Sequence, residues 1–225
     1  MQITERDIGA KAHPSAEPWE DIFESVQFPE DLRGLTILDV GAGASDATAR
    51  LVELGADAYA LDPLYKSTSD LKGKVRIQNK IPLYSKDAKK RRHEALERFM
   101  ASFKNEPERY KTASATQIPF PHDTFDIVYS VAAVLRYLDL DLQILLKAVS
   151  ECLRVAKPGG RISFAPYMQR HISWPGFIND LRIDNEKKML GWFNSNPQVT
   201  HVREVGEELF KTLVIIKKSP VTNLS

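Results

Sequence analysis

The chain is expected to fold as one α/β domain, a doubly wound and mostly parallel sheet that ends in an antiparallel strand pair. Three observations predict this. Short apolar, partly β-branched runs alternate with stretches of helical periodicity. A glycine turn, Gly41-Ala42-Gly43, joins the first run to a helix that leads into a second run, the βαβ order of a parallel sheet. The last two strand-like runs sit close together around Gly206, with no helix between them. The length of 225 residues suits a single domain with a sizeable core.

Each element has its own signal. Residues 1–34 form a helical lead-in, with Trp19, Ile22, Phe23 and Val26 at helical spacing and Gly34 as the break. Thr36 to Val40 is a buried strand. Ser45 or Asp46 caps the following helix and Gly55 ends it. Ala58 to Leu61 is a second strand, closed by Asp62-Pro63. Residues 66–111 are an insertion whose Ala95, Leu96, Phe99, Met100 and Phe103 fall on one face of an amphipathic helix. Tyr110 to Ala113 and Phe125 to Tyr129 are strands, Leu142 to Val155 a helix, Lys157 to Gly160 a turn, and Arg161 to Ala165 a strand. Residues 174–194 mix helix and loop, and Val199 to Val205 and Lys211 to Lys217 close the sheet.

Composition removes several functions. A net charge of +1 gives no global attraction to nucleic acid or to an anionic membrane. The one cysteine, Cys152, builds neither a disulfide nor a cysteine-rich zinc site, and no metal is expected. No basic–apolar leader opens the chain and no apolar run approaches a membrane span, so a cytoplasmic location is the default expectation.

The chemistry concentrates at Asp39-Val40-Gly41-Ala42-Gly43-Ala44-Ser45. In an open α/β sheet, ligands bind outside the carboxyl ends of the strands, and glycines let a ligand approach the backbone closely. Asp62 ends the second strand about twenty residues on, where a carboxylate accepts the hydroxyls of a ribose. The pair points to a nucleoside-containing cofactor. Pyrophosphate requires bare amides, yet Asp39 and Asp46 flank this turn and Ser45 stands where a further glycine is expected. Two acids favour a ligand that carries ammonium and sulfonium cations, so charge prefers S-adenosylmethionine to NAD.

With these residues, the sequence resembles the class I S-adenosylmethionine-dependent methyltransferases, in particular their small-molecule branch. Four segments match in order: Ile37 to Gly43, Leu61-Asp62-Pro63, Ser114 to Phe120 followed by Phe125 to Val128, and Leu153 to Gly160. The resemblance implies a seven-stranded Rossmann-like sheet and a cofactor pocket. It places Asp39, Gly41, Ala42, Gly43 and Ser45 around the methionine part, Asp62, Pro63 and Leu64 around the ribose, and Ser114, Ala115 and Thr116 beside the adenine. Ser130 and Val131, past the fourth strand, line the same pocket. Where the family often carries an acid for the adenine amino group, this chain has Ser114, whose oxygen accepts without charge assistance.

A sulfonium methyl is already activated, so the protein must align a nucleophile and exclude water. His171, Tyr129 and Tyr137 are the candidate catalytic groups. Arg136, Tyr137, Tyr167, His171 and Trp174 are the candidate acceptor contacts, grouped with His122 near the carboxyl edge of the sheet. The run Tyr129-Ser130-Val131-Ala132 lacks the Asn/Asp-Pro-Pro-aromatic pattern of adenine amino methylation. Cys152, inside a helix, is no cytosine nucleophile.

Charge is uneven along the chain. Residues 66–111 hold fourteen Lys or Arg against six Asp or Glu, whereas the first 31 residues hold eight acids against two bases. The basic stretch reads as a lid over a small-molecule substrate, with an RNA-docking surface as the alternative. A non-catalytic cofactor-binding module is a third reading. A nicotinamide dehydrogenase is disfavoured by Ser45, Asp46 and the missing Tyr-x-x-x-Lys pattern. A monomer or homodimer is expected.

Overall fold

The computed structural model describes residues 19–66, 86–138, 141–165, 176–206 and 211–219. Its seven strands are β1 (Thr36–Val40), β2 (Asp57–Leu61), β3 (Tyr110–Lys111), β4 (Phe125–Val131), β5 (Ala156–Ala165), β6 (Val199–Val205) and β7 (Thr212–Lys217). They form one sheet in the order β3-β2-β1-β4-β5-β7-β6. The first five pair in parallel, and β7 runs antiparallel to both β5 and β6. The helices are α1 (Trp19–Val26), α2 (Ala47–Glu53), α3 (Lys86–Asn105), α4 (Leu142–Val155) and α5 (Gly176–Ser195).

Central parallel strands are buried on both faces, and their alternating side chains feed two cores. Leu38, Val40 and Val128 point to one face, where α4 supplies Leu145, Val149 and Cys152 and α5 supplies Met189 and Phe193. Ile37, Ile127 and Tyr129 point to the other, against Ile22 and Val26 of α1 and Ala47 and Leu51 of α2. A third, smaller cluster joins α3 to the sheet near β2 and β3. Leu96 and Phe99 pack there on Ala44, Ala60, Tyr65 and Tyr110.

Several local expectations change. Asp46 occupies the N-cap of α2 but makes no capping bond; Ser45 Oγ accepts from the Ala47 amide at 3.0 Å. The third strand stops at Lys111 rather than Ala113. The Lys157–Gly160 turn is absorbed into β5 as an irregularity, because Phe125 pairs with Ala156 whereas Ile127 pairs with Arg161. Lys157 is held there by Asp126 at 2.8 Å. In the insertion, the expected apolar stripe is a packed surface: Ala95, Leu96 and Phe99 are buried, with Met100 and Phe103 against them.

Phe99 has no solvent exposure and touches Tyr65, Phe103 and Tyr110 with centroids 5.5–5.8 Å apart. Phe99→Ala is expected to lower the unfolding free energy in urea by about 3–5 kcal/mol. A loss below about 1 kcal/mol would place α3 outside the cooperative core.

Candidate functional site

Parallel pairing brings the ends of β1, β2 and β4 to one edge. Asp39 lies level with Ala60 of β2 on one side and Tyr129 of β4 on the other. The chain then leaves β1 through the glycine turn. Gly41 and Ala42 donate to the Leu61 carbonyl at 2.7 and 3.2 Å, so the turn leans toward β2. Gly41 has φ +78°, and a Cβ there would lie 2.4 Å from the Ala133 Cβ in the segment after β4. Gly43, with φ +58°, also needs the left-handed region. Only glycine at position 41 satisfies both the backbone and the close packing of the β4 exit.

Asp62 is 7% exposed. Its two oxygens accept from the amides of Gly43 at 3.0 Å and Leu64 at 2.8 Å. The second-strand acid therefore clasps the glycine turn directly. Pro63 and Leu64 begin the 3-10 turn Pro63–Lys66 that follows it. Asp39 is 3% exposed and accepts from the Tyr129 hydroxyl at 2.8 Å. Burial pushes the Asp39 carboxyl up to about 7; the Tyr129 hydrogen bond pulls it down and the Asp62 charge pushes it further up. Among the described residues no Lys or Arg pairs with Asp39.

Asp46, the other acid beside the turn, is fully buried and differently engaged. Its oxygens accept from the Trp19 amide of α1 at 3.0 Å and from Arg98 of α3 at 2.6 Å, and Arg50 lies 3.7 Å away. One carboxylate thus ties the lead-in helix and the inserted helix to the start of α2. Asp46 belongs to neither the acidic lead-in nor the basic insertion, and the lead-in contributes to this contact a backbone amide.

The remaining expected groups divide clearly. Ser114 and Thr116 follow β3 at the same edge, their hydroxyls 2.9 Å apart, with the Thr116 amide donating to Ser114 Oγ at 3.2 Å. Ala115 between them is half-buried. Ser130 is buried and its Oγ accepts from the Val134 amide at 3.1 Å, while Val131 ends β4 half-buried. Tyr129 has no exposure and its ring meets Phe28 edge-on at 5.2 Å, so it supports Asp39 from below and presents no atom to an incoming acceptor. Arg136 and Tyr137 lie in the π-helical turn Val134–Leu138 after β4, and their side chains fall outside the described residues. Tyr167, His171 and Trp174 also lie outside them. His122 is a correction: it precedes β4 and so sits at the amino edge of the sheet, exposed, lining a cavity of about 380 Å³ with Pro158, Pro197 and Lys218.

A further group was not singled out from sequence. Asn179, Arg182, Asn185 and Glu186 of α5 are all buried, between 1% and 6% exposed. Arg182 donates to the Leu135 carbonyl at 2.6 Å, which holds the start of α5 against the π-helical turn at the carboxyl edge. The signal was present as polar residues recurring at helical spacing in 179–186, on a helix with apolar residues scattered around it.

Two substitutions probe this arrangement. Gly41→Ala is expected to destabilise the fold by roughly 1–3 kcal/mol in urea, since it forces a strained φ and a clash with Ala133. Asp46→Ala is expected to speed amide hydrogen exchange in both α1 and α3; acceleration in only one of them would show that the carboxylate does not link the two.

Residues 38–164, more than half of the chain, match the family model described as a methyltransferase domain. Among solved structures, a SAM dependent methyltransferase from Aquifex aeolicus is 17% identical, with 88% of this chain and 89% of that chain covered and a TM-score of 0.50. The PH0226 protein from Pyrococcus horikoshii OT3 is 14% identical over 89% and 91% of the two chains, also at 0.50. The [4+2]-cyclase SpnF is 14% identical over 89% and 80%, at 0.51. At these identities the structures share the fold. No curated protein matches the chain by sequence. A matched family model that spans β1 to β5, on a sheet of order 3-2-1-4-5-7-6 with its glycine turn between two buried acids, makes this chain a member of the class I methyltransferase family, whose methyl donor is S-adenosylmethionine.

Proposed function

We propose that this chain methylates a small-molecule acceptor. The carrying observation is the pair of buried carboxylates around a left-handed glycine turn, with no cation paired to Asp39 among the described residues. Such a place fits a ligand that brings its own positive charge. Asp39 and the amides of the turn would take the aminoalkyl end. Asp62, already oriented by two backbone amides, would receive the ribose hydroxyls together with Pro63 and Leu64. Ser114, Ala115 and Thr116 would border the adenine, and Ser130 and Val131 would close the pocket beneath it.

When bound, the cofactor supplies a sulfonium-activated methyl group, and the protein supplies alignment and exclusion of water. We assign the acceptor side to Arg136, Tyr137, Tyr167, His171 and Trp174, with His171 and Tyr137 as the candidates to take a proton. Tyr129 leaves that group, because its buried hydroxyl serves Asp39.

The RNA-docking alternative rests on the basic insertion. Two cations of α3 turn inward: Arg98 pairs with Asp46, and Arg92 is 7% exposed. That removes them from a phosphate-binding surface and favours the small-molecule reading. A steep fall of RNA affinity with added salt would reverse this preference.

Titration calorimetry with S-adenosylhomocysteine tests the cofactor assignment. The wild type is expected to bind in the micromolar range, on the order of −8 kcal/mol. Asp62→Ala is expected to weaken binding at least about tenfold by removing the hydrogen bonds of a carboxylate. An unchanged affinity in that variant would remove Asp62 from the ribose site.

A further inference from the structure

Tyr129 is a tyrosine placed where a strand core would accept any large apolar residue. Its ring fills the core between Phe28 and the sheet, yet its hydroxyl reaches Asp39 Oδ2 at 2.8 Å. The surroundings of Asp39 are short of positive charge. From β4 it faces the Tyr129 hydroxyl. From the end of β2 it feels the Asp62 carboxylate, and from the 3-10 turn the hydroxyl of Tyr65. Asp46, in the loop before α2, adds a further negative charge that acts on Tyr129. The Tyr65 hydroxyl is buried and has no hydrogen-bond partner among the described residues. Both phenols are pushed well above their ordinary range by burial and by these carboxylates, so both are neutral O–H groups at any moderate pH. Asp39 therefore lies among two further acids and two neutral phenols, and among the described residues only Tyr129 of those phenols donates to it.

We infer that Tyr129 is a positioning residue for cofactor binding: its hydrogen bond favours the ionised form of Asp39 and aims it at a cationic aminoalkyl chain, and filling the site drives the remaining proton off Asp39. This rests on the assignment of S-adenosylmethionine to the glycine turn. The sign follows from the opposed influences on Asp39. Burial raises its carboxyl to about 7, so at neutral pH a large share of the free protein carries a protonated Asp39. A bound ammonium favours the ionised form. Affinity must then rise with pH until the free carboxyl is fully ionised, and level off above that. With a free value of about 7, the gain between pH 6 and pH 8 is about tenfold. Removal of the Tyr129 hydroxyl takes away the one interaction that lowers the value, so the midpoint moves up.

The experiment is a titration of the full chain with S-adenosylhomocysteine from pH 6 to pH 8.5, for the wild type, Tyr129→Phe and Asp39→Asn. S-adenosylhomocysteine keeps the aminoalkyl chain and does not transfer a methyl group during the measurement. The expected result has three parts: a rise of about tenfold with a midpoint near 7 in the wild type, a midpoint displaced to higher pH in Tyr129→Phe, and no such rise in Asp39→Asn. A flat wild-type profile, or a Tyr129→Phe profile that superimposes on the wild type, overturns the inference. Thermal melting of each variant at each pH separates loss of fold from loss of affinity. If Tyr129→Phe does not fold, the wild type alone decides, through binding enthalpies at pH 7 in two buffers of different ionisation enthalpy. Release of a fractional proton supports the coupling, and release of none overturns it. No binding by the wild type at any pH would instead sink the cofactor assignment itself.

Discussion

The pairing of β1 in parallel on both sides, with β2 and with β4, is the constraint on which the rest of this molecule depends. Parallel neighbours end on the same edge, so three strands deliver their last residues to one place. Asp39, Asp62 and Ser130 arrive there from segments far apart in the chain. The same crowding dictates the turn. With strands on both sides, β1 must exit at once, and the segment after β4 packs so close to Gly41 that no Cβ fits between them. Glycine is needed at this position by the backbone angle and by the neighbour together.

Electrostatics divides the two acids that flank the turn into opposite roles. Asp46 is buried but satisfied by a backbone amide and by Arg98, and it serves to join helices. Asp39 is buried almost as deeply and, among the described residues, meets phenols and another acid instead of a cation. Burying an unpaired carboxylate is costly, and the molecule offsets part of that cost with the Tyr129 hydrogen bond and part by raising the carboxyl's proton affinity. Retention of such a group is understandable where a ligand supplies the missing charge. In the proposed reading, the cofactor's own positive charge would complete the pattern.

The parts that cover this edge are built on different physics. Helix α3 is attached by an aromatic cluster around Phe99 and Tyr65, and Arg98 adds an ion pair to Asp46. Helix α5 is divided along its length. Its later turns bury Met189 and Phe193 in the main core, whereas its earlier turns bury Asn179, Arg182, Asn185 and Glu186 near the end of β4. Polar residues at that depth need partners, and hydrogen bonds have direction, so this end of the helix is specified more tightly than an apolar contact would be. The sheet beneath them is shared even by a [4+2]-cyclase, so the fold alone does not choose the reaction.

Local chemistry by itself determined the strand and helix order, the glycine turn and the acid at the end of the second strand. Strand alternation, helical spacing and the need for a left-handed residue all act within a few neighbours, so they can be read along the chain. The exact span of α4 from Leu142 to Val155 is one such case, set by the Asp141 cap and a continuous amphipathic pattern. Only tertiary structure decided what each polar side chain meets. Ser45 or Asp46 was expected to cap α2; Ser45 takes the Ala47 amide, and Asp46 instead ties two distant helices together. Tyr129 was expected as a catalytic group and is fully buried, its hydroxyl 2.8 Å from a carboxylate ninety residues earlier. His122, grouped with the carboxyl edge, stands at the opposite end, because the turn that holds it precedes its strand. The physical reason is common to all three: a charge or hydroxyl finds its partner through space, and the distance along the chain carries no record of which partner the packing will bring.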